Sequence, residues 1–479
     1  MMYDITKQTA PKGPHLGKGL EAFNLLISQT SSDMHDPLLP LLSPIIGTRI
    51  SNAEFQYPSG QWLELCGQQV ALIAPSAGNK GQLGLIVEAC NRDFRQQDAE
   101  ELKKYLQYQK TYKKRSQSKE FKSEEVFPLL RFLPADTTKP GYLKAQMSCQ
   151  EHGGLTTYID LKEIEQLDNL CGSHRQVTQM LRLMWDKEIY NALRATVDGV
   201  TGSAILRTNL TVSTTPVRAR QFFKGNLYDG TLGRMVFSYK PRAGRDGKIP
   251  HIGKFSDAFY EKLDGYLARL DNCKGRYIIK PLNKLIERLS NEVAELGDLT
   301  DNDSLWDMGK RSLISAWKAG CVMWALNNMA WSRSMADAVE FLVWHDLWSK
   351  YHVLGDMLKE GDTSTDDASK ALPANMLDDI KGDSFTEQQL DALRQNMGKP
   401  TGSATKRQLR VWVHRELVTF NSETGLYTKT ETYLKRNGQH QELKAAIERE
   451  QSQTCLSYVE REQARCAASR IEKLKNGKI

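Results

Sequence analysis

The stretch LIAPSAGNKGQL, residues 72–83, decides how the rest of the chain is read. An apolar run, WLELCGQQVALIAP (62–75), ends there in a turn, and GQLGLIVEACNRDF (81–94) then carries its apolar residues at helical spacing. Strand, turn and helix in that order form a place where a phosphate can be wrapped by backbone N–H groups. Such a loop also needs a lysine for the outer phosphate oxygens and a hydroxyl for Mg2+. Lys80 stands in register for the lysine, while Asn79 takes the place of the last glycine and Gly81 that of the hydroxyl.

Outward from this loop the strand signals recur at FPLLRFLPAD (127–136), GLTTYIDL (154–161), SAILRTNLTVSTT (203–215) and GRMVFSYKP (233–241). Helical stretches lie between them, as around 177–185, and the alternation predicts a three-layer α/β core over 57–250. Residues 1–56 read as a polar arm, mobile over its first 19 residues, followed by short helices. Residues 251–360 read as helices nearly throughout, with Trp317, Trp324, Trp331, Trp344 and Trp348 expected in a core rather than as a base-stacking platform.

An acidic, Ser/Thr-rich linker over 361–384 follows. Beyond it TEQQLDALRQNM, GKPTGS, ATKRQLRVWVHREL and VTFNSETGLYTKT read as helix, turn, helix and hairpin, the outline of a winged helix at 385–436. The second helix carries Lys406, Arg407, Arg410 and Arg415. Residues 437–479 read as a charged helix without an apolar stripe broad enough for a core of its own.

Composition narrows the classes. The chain has 479 residues, 40% apolar and 26% charged, which is globular rather than disordered. No apolar run reaches the length of a membrane span, and the first residues lack a signal-peptide pattern, so a cytoplasmic protein is expected. The eight cysteines, Cys66, Cys90, Cys149, Cys171, Cys273, Cys321, Cys455 and Cys466, are scattered without metal-ligand spacing and read as reduced, structural thiols. A net charge of +7 suits a polyanionic partner. The basic stretch 97–122, with Lys113 and Lys114, is either a solvated helix or a nucleic-acid contact.

From about Leu38 through Trp348 the chain resembles a family of RecA-fold, helicase-like phosphate-loop ATPases of bacterial mobile elements, notably Bacteroides-type conjugative elements, often encoded near a primase. Four segments in order carry the resemblance. The family's A-P-x-x-x-x-K-G loop is matched by Ala74, Pro75, Lys80 and Gly81. GGLTTYIDLKEIEQL (153–167) is similar to its acidic strand, AILRTNLTVSTTPVRARQFF (204–223) to its third strand, and DGTLGRMVF (229–237) to its Gly-x-x-x-Arg segment.

The resemblance implies a RecA-like ATPase binding ATP and Mg2+ through Ala74, Pro75, Gly78, Asn79, Lys80, Gly81 and Gln82. Asp160 would be the metal ligand, Glu163 the base, Thr214 or Thr215 the sensor, and Arg234 an arginine finger acting across a subunit boundary. Asp160 is otherwise a surface acid beside a strand, and Arg234 a salt bridge at a strand start. An ATP-driven DNA helicase or translocase follows, a hexamer-type ring with a primase partner. The alternative is a degenerate, non-hydrolysing DNA-binding scaffold; a third reading is a regulator dominated by its winged helix.

Overall fold

A computed structural model of the protein describes residues 3–115, 127–171, 174–193, 200–224, 230–242, 252–300, 303–360, 376–414, 417–431 and 433–434. The chain divides into two compact units, one of Met1–Gly297 with Asn302–Pro373 and one of Asp298–Asp301 with Ala374–Ile479.

In the first unit five parallel strands form the central sheet. They are β1 (Gln69–Ile73), β2 (Phe132–Leu133), β3 (Thr157–Leu161), β4 (Thr208–Thr214) and β5 (Val236–Tyr239), in the order β2-β3-β4-β1-β5. β1, β3 and β4 are buried along their whole length, so their sequences run apolar and Thr-rich rather than alternating.

Helices cover both faces. The elements that matter are α1 (His35–Gly47), α2 (Gln82–Arg115), α3 (Lys139–Glu151), α4 (His174–Trp185) and α5 (Pro216–Phe223). Four more follow, α6 (Asp257–Asp271), α7 (Lys280–Thr300), α8 (Asp303–Leu326) and α9 (Arg333–Glu360). Alternate residues of β4 report the layers. Asn209 donates to the Pro44 carbonyl of α1 at 3.3 Å, whereas Thr208 bonds Tyr142 and Gln146 of α3 at 2.6 and 3.1 Å.

Side chains close both sheet edges. At β2 the Asp98 carboxylate of α2 accepts the Arg131 and Phe132 amides at 2.9 and 2.7 Å. At β5 Asp346 and Ser349 of α9 accept the Phe237 and Tyr239 amides at 2.7 and 3.0 Å. Helix side chains thus take the amides that an open edge would leave to another chain. The helices of 257–360, apart from residues Asp298–Asp301, belong to the same unit as the sheet. Trp317, Trp344 and Trp348 are buried there, as expected of core residues.

Three expectations change. The arm is docked: Ile5 is fully buried, and Trp348 Nε1 donates to the Lys7 carbonyl at 2.8 Å. Gly13 N also donates to Asp36 at 3.0 Å, so a polar composition hid an anchored segment. The strand expected over 127–136 shrinks to two residues, because Pro128 and Pro134 bracket it and lack ladder donors. The run 203–215 breaks into Gly202–Ile205, paired with Ile189–Ala192, and β4.

Cys66, Cys90, Cys149, Cys273 and Cys321 are free and buried, and burial pushes the Cys90 and Cys149 thiols up to about 12. Such thiols are inert at neutral pH. Among the described residues no helix is long and apolar enough to cross a membrane.

His345 of α9 supplies a pH test. Ser238 Oγ donates to the Pro37 carbonyl at 2.6 Å, so at 3.1 Å it accepts from His345 Nε2–H. Nδ1 is then the bare nitrogen, buried without a partner among the described residues, and burial pushes the His345 pKa down to about 3. The nearest charges on the same helix, Asp346 and Lys350, pair with each other. A depressed histidine pKa means that the unfolded chain binds the proton first, so stability falls as pH drops below about 6.5. Between pH 7 and 5 the expected loss is about 2 kcal/mol, read from urea midpoints. In His345→Leu that slope should flatten; an unchanged slope would assign it to other groups.

The second unit holds α10 (Glu387–Asn396), α11 (Ser403–His414) and a hairpin, Val418–Asn421 with Leu426–Lys429. Ser384–Phe385 adds a third strand to the hairpin. Thr386 and Gln389 form a capping box at the start of α10. The order helix, turn, helix, hairpin is as expected, around a core that includes Phe385, Leu390, Leu409, Trp412 and Val418. Arg415, residues 361–375 of the linker and the helix expected over 437–479 lie outside the described residues.

Candidate functional site

The loop between β1 and α2 leaves the carboxyl end of the sheet. β1 lies between β4 and β5 although it comes first in the chain, so the connections around it run to opposite sides. Crevices at such points are where open α/β sheets bind ligands. The loop itself is tightly curled. Ala77 and Asn79 hold φ of 60 and 63 degrees, a left-handed conformation that costs an alanine about 1–3 kcal/mol. At Gly78 a Cβ would stand 2.8 Å from the Pro75 carbonyl oxygen, so the curl requires glycine there.

Lys80 folds back over this curl, its Nζ donating to the carbonyls of Ala74 and Pro75 at 3.1 and 3.2 Å. Burial lowers its pKa, and the Glu163 carboxylate, close enough to be felt, opposes that shift. Gly81 is exposed with open space around it. Gln82, the first residue of α2, is buried and committed elsewhere: its Oε1 accepts from Ser31 N at 2.8 Å and its Nε2 donates to Ser31 Oγ at 2.9 Å.

The neighbouring strands bring further groups. Asp160 in β3 has a side chain only 3% exposed, ion-paired to Lys162 and accepting from Thr211 Oγ1 at 3.2 Å. Thr214 ends β4; it is fully buried, its hydroxyl has no hydrogen-bond partner among the described residues, and its carbonyl accepts from Ala74 N at 3.1 Å. Thr215 caps α5 through the Arg218 amide.

Three participants escaped the sequence reading. Lys240 follows β5; its side chain is 8% exposed, pairs with Asp33 and donates to the Gly78 carbonyl at 3.2 Å. Burial disfavours the Asp33 anion, yet the bonds from Lys240 and Ser31 hold its pKa below the ordinary value. Lys162 is the third. It follows directly on β3, two residues after Asp160, and closeness in sequence was the one signal available. Asp33 sits in a short turn before α1 and carried none.

Arg234 is elsewhere. β1 and β5 pair in register with Val70 opposite Val236, so Arg234 lies level with residue 68, at the amino end of the sheet. Six residues of strand, roughly 20 Å, separate that level from Ala74. Its guanidinium pairs with Asp186 at 2.7 Å and lies 5.5 Å from the Trp185 ring centroid. Within one chain it takes no part in the loop site.

In the second unit Lys406 and Arg410 are exposed on α11 and Arg407 is half-buried; this helix carries no acidic residue. The backbone at Lys113 and Lys114 is the last turn of α2.

No protein-family model matches the chain, and no curated protein matches its sequence.

The donor set separates the two expected cofactors. For a phosphate there are a lysine, a curled loop and the start of a long helix. For Mg2+ the set is poor. Gly81 offers no hydroxyl and both oxygens of Asp160 are engaged. Among the described residues no three His, Cys, Asp or Glu side chains gather to hold a metal. The residues do not fit the metal.

Proposed function

We propose that this chain is a nucleotide-binding, DNA-binding protein of a mobile genetic element's replication system, with a RecA-like core and a winged-helix module. The observation that carries the reading is Lys80 folded over a curled loop at the carboxyl end of β1, an interior strand of the sheet. The strand order supports it too, since RecA-like cores hold the first strand between the fourth and fifth. The second unit adds an acid-free helix with three cations beside a hairpin, which suits the phosphate backbone of DNA. In this reading copies of the protein assemble as a ring in the cytoplasm and work beside a primase.

Binding of ATP without turnover is favoured over a motor. Asp160 is held by Lys162, and Leu161 stands where an adjacent second acid would be. One observation favours hydrolysis, the nearness of the Glu163 carboxylate to Lys80, which would let it orient a water. In the motor reading Arg234 would address the site of a neighbouring copy, and Thr214 would sense the outer phosphate.

ATP at a hundred times its dissociation constant should stabilise the protein by about 2.7 kcal/mol, and Lys80→Ala should remove that shift. Turnover measured with and without single-stranded DNA separates the two readings. DNA-stimulated hydrolysis that disappears in Lys80→Ala establishes the motor; ATP binding with no turnover establishes the scaffold.

A further inference from the structure

A polyphosphate bound at the loop must have its charge balanced. In phosphate-loop proteins that task falls to Mg2+, held by a loop hydroxyl and a strand acid. Here the hydroxyl is absent and the acid is already neutralised. Asp160 is nearly closed to solvent, and its Oδ2 is ion-paired to the ammonium of Lys162, just past the end of its strand. That ammonium is also placed over the start of α2: a Cβ built on Gly84 would lie 3.2 Å from Lys162 Nζ. A cation fixed beside the strand acid and the first turn of the loop helix stands where a metal would have its charge. Lys240 reaches the loop from the opposite side, at the Gly78 carbonyl, and Lys80 lies across its middle. Thr214 adds a buried hydroxyl, without a partner among the described residues, at the end of β4.

We propose that this site takes a nucleoside polyphosphate without a divalent cation, held by Lys80, by the loop amides and by the ammoniums of Lys162 and Lys240, which the phosphates share with Asp160 and Asp33. The inference rests on the nucleotide reading above and deepens it. It also accounts for Gly81, because a site that holds no metal has no use for a hydroxyl there. The ammonium of Lys162 is the positioning cation, and its partner Asp160 restrains it rather than ligating a metal.

The experiment is calorimetric titration of the full chain with ATP, in excess Mg2+ and in excess EDTA, for the native protein and for Asp160→Asn. That substitution removes a buried charge, keeps an acceptor for Thr211 and leaves the half-exposed Lys162 free, so the fold should tolerate it. The dissociation constants in the two buffers should agree within about threefold, and Asp160→Asn should bind as tightly or up to about tenfold more tightly, since Lys162 is released toward the phosphates. If ATP binds only with Mg2+ and Asp160→Asn loses about a hundredfold in affinity, the metal-free site is overturned while the nucleotide reading stands. If ATP binds in neither buffer, the nucleotide reading falls and the inference falls with it.

Discussion

Asp346→Ala is expected to destabilise the larger unit by about 3–5 kcal/mol, measured as a shift of the denaturant midpoint. The carboxylate is 1% exposed and its partner Lys350 is fully buried, with 2.9 Å between them. Its other contacts are the Phe237 amide of β5 at 2.7 Å and the Ser312 hydroxyl of α8. Truncation leaves a buried ammonium without a counter-charge and an edge amide without an acceptor, two penalties that do not relax by rotation of a side chain. Burial already pushes the Lys350 ammonium below its ordinary pKa, with Asp346 opposing that shift, so losing Asp346 drives Lys350 toward the neutral form. Replacing both residues by apolar ones of similar volume should recover much of the loss. A single variant that shifts by less than about 1 kcal/mol would mean that water reaches the pair.

That pair also bears on the site. β5 carries Lys240 at its carboxyl end, and the Lys240 amide donates to the Ile73 carbonyl at 2.8 Å. A strand clamped at Phe237 and Tyr239 holds Lys240 level with the loop, so loosening the clamp should weaken the proposed ATP binding as well as the fold.

Much of the architecture was legible because it rests on period and punctuation. Buried parallel strands such as β1, β3 and β4 read as apolar or Thr-rich runs, and the helix–turn–helix–hairpin order of the second unit follows from its Gly and Asn turns. Lys80 was legible for the same reason, since it belongs to a local loop. Asp160 and Thr214 were named as well, but their neighbours Lys162, Lys240 and Asp33 were not. Lys240 and Asp33 meet across 207 residues, a juxtaposition fixed by strand order, which no local pattern encodes. Arg234 shows the converse: its local spacing matched an expected segment, but the parallel register of β5 carries it to the other end of the sheet. The docked arm was hidden because backbone carbonyls, those of Ile5 and Lys7 among them, make several of its contacts, and composition does not report carbonyls.

The second large effect is expected from Trp412→Ala: if the chain binds DNA and ATP as proposed, it should abolish DNA binding while leaving ATP-dependent stabilisation of the larger unit intact. Trp412 is 2% exposed, packed edge-on against Phe385 at 6.0 Å in a core of few large side chains. Removing a buried tryptophan costs about 3–5 kcal/mol, comparable to the whole stability of a small domain. α11 presents Lys406 and Arg410 to solvent only while its Leu409 and Trp412 face is held by that core. A surface control separates folding from contact. Lys406→Ala with Arg410→Ala should leave the melting of this unit unchanged, weaken binding to all DNA sequences alike, and reduce the slope of log affinity against log salt by about 2. If Trp412→Ala unfolds the second unit and DNA is still bound with the native salt slope, the DNA contact lies in the larger unit. The basic stretch ending in Lys113 and Lys114 is then the next segment to neutralise.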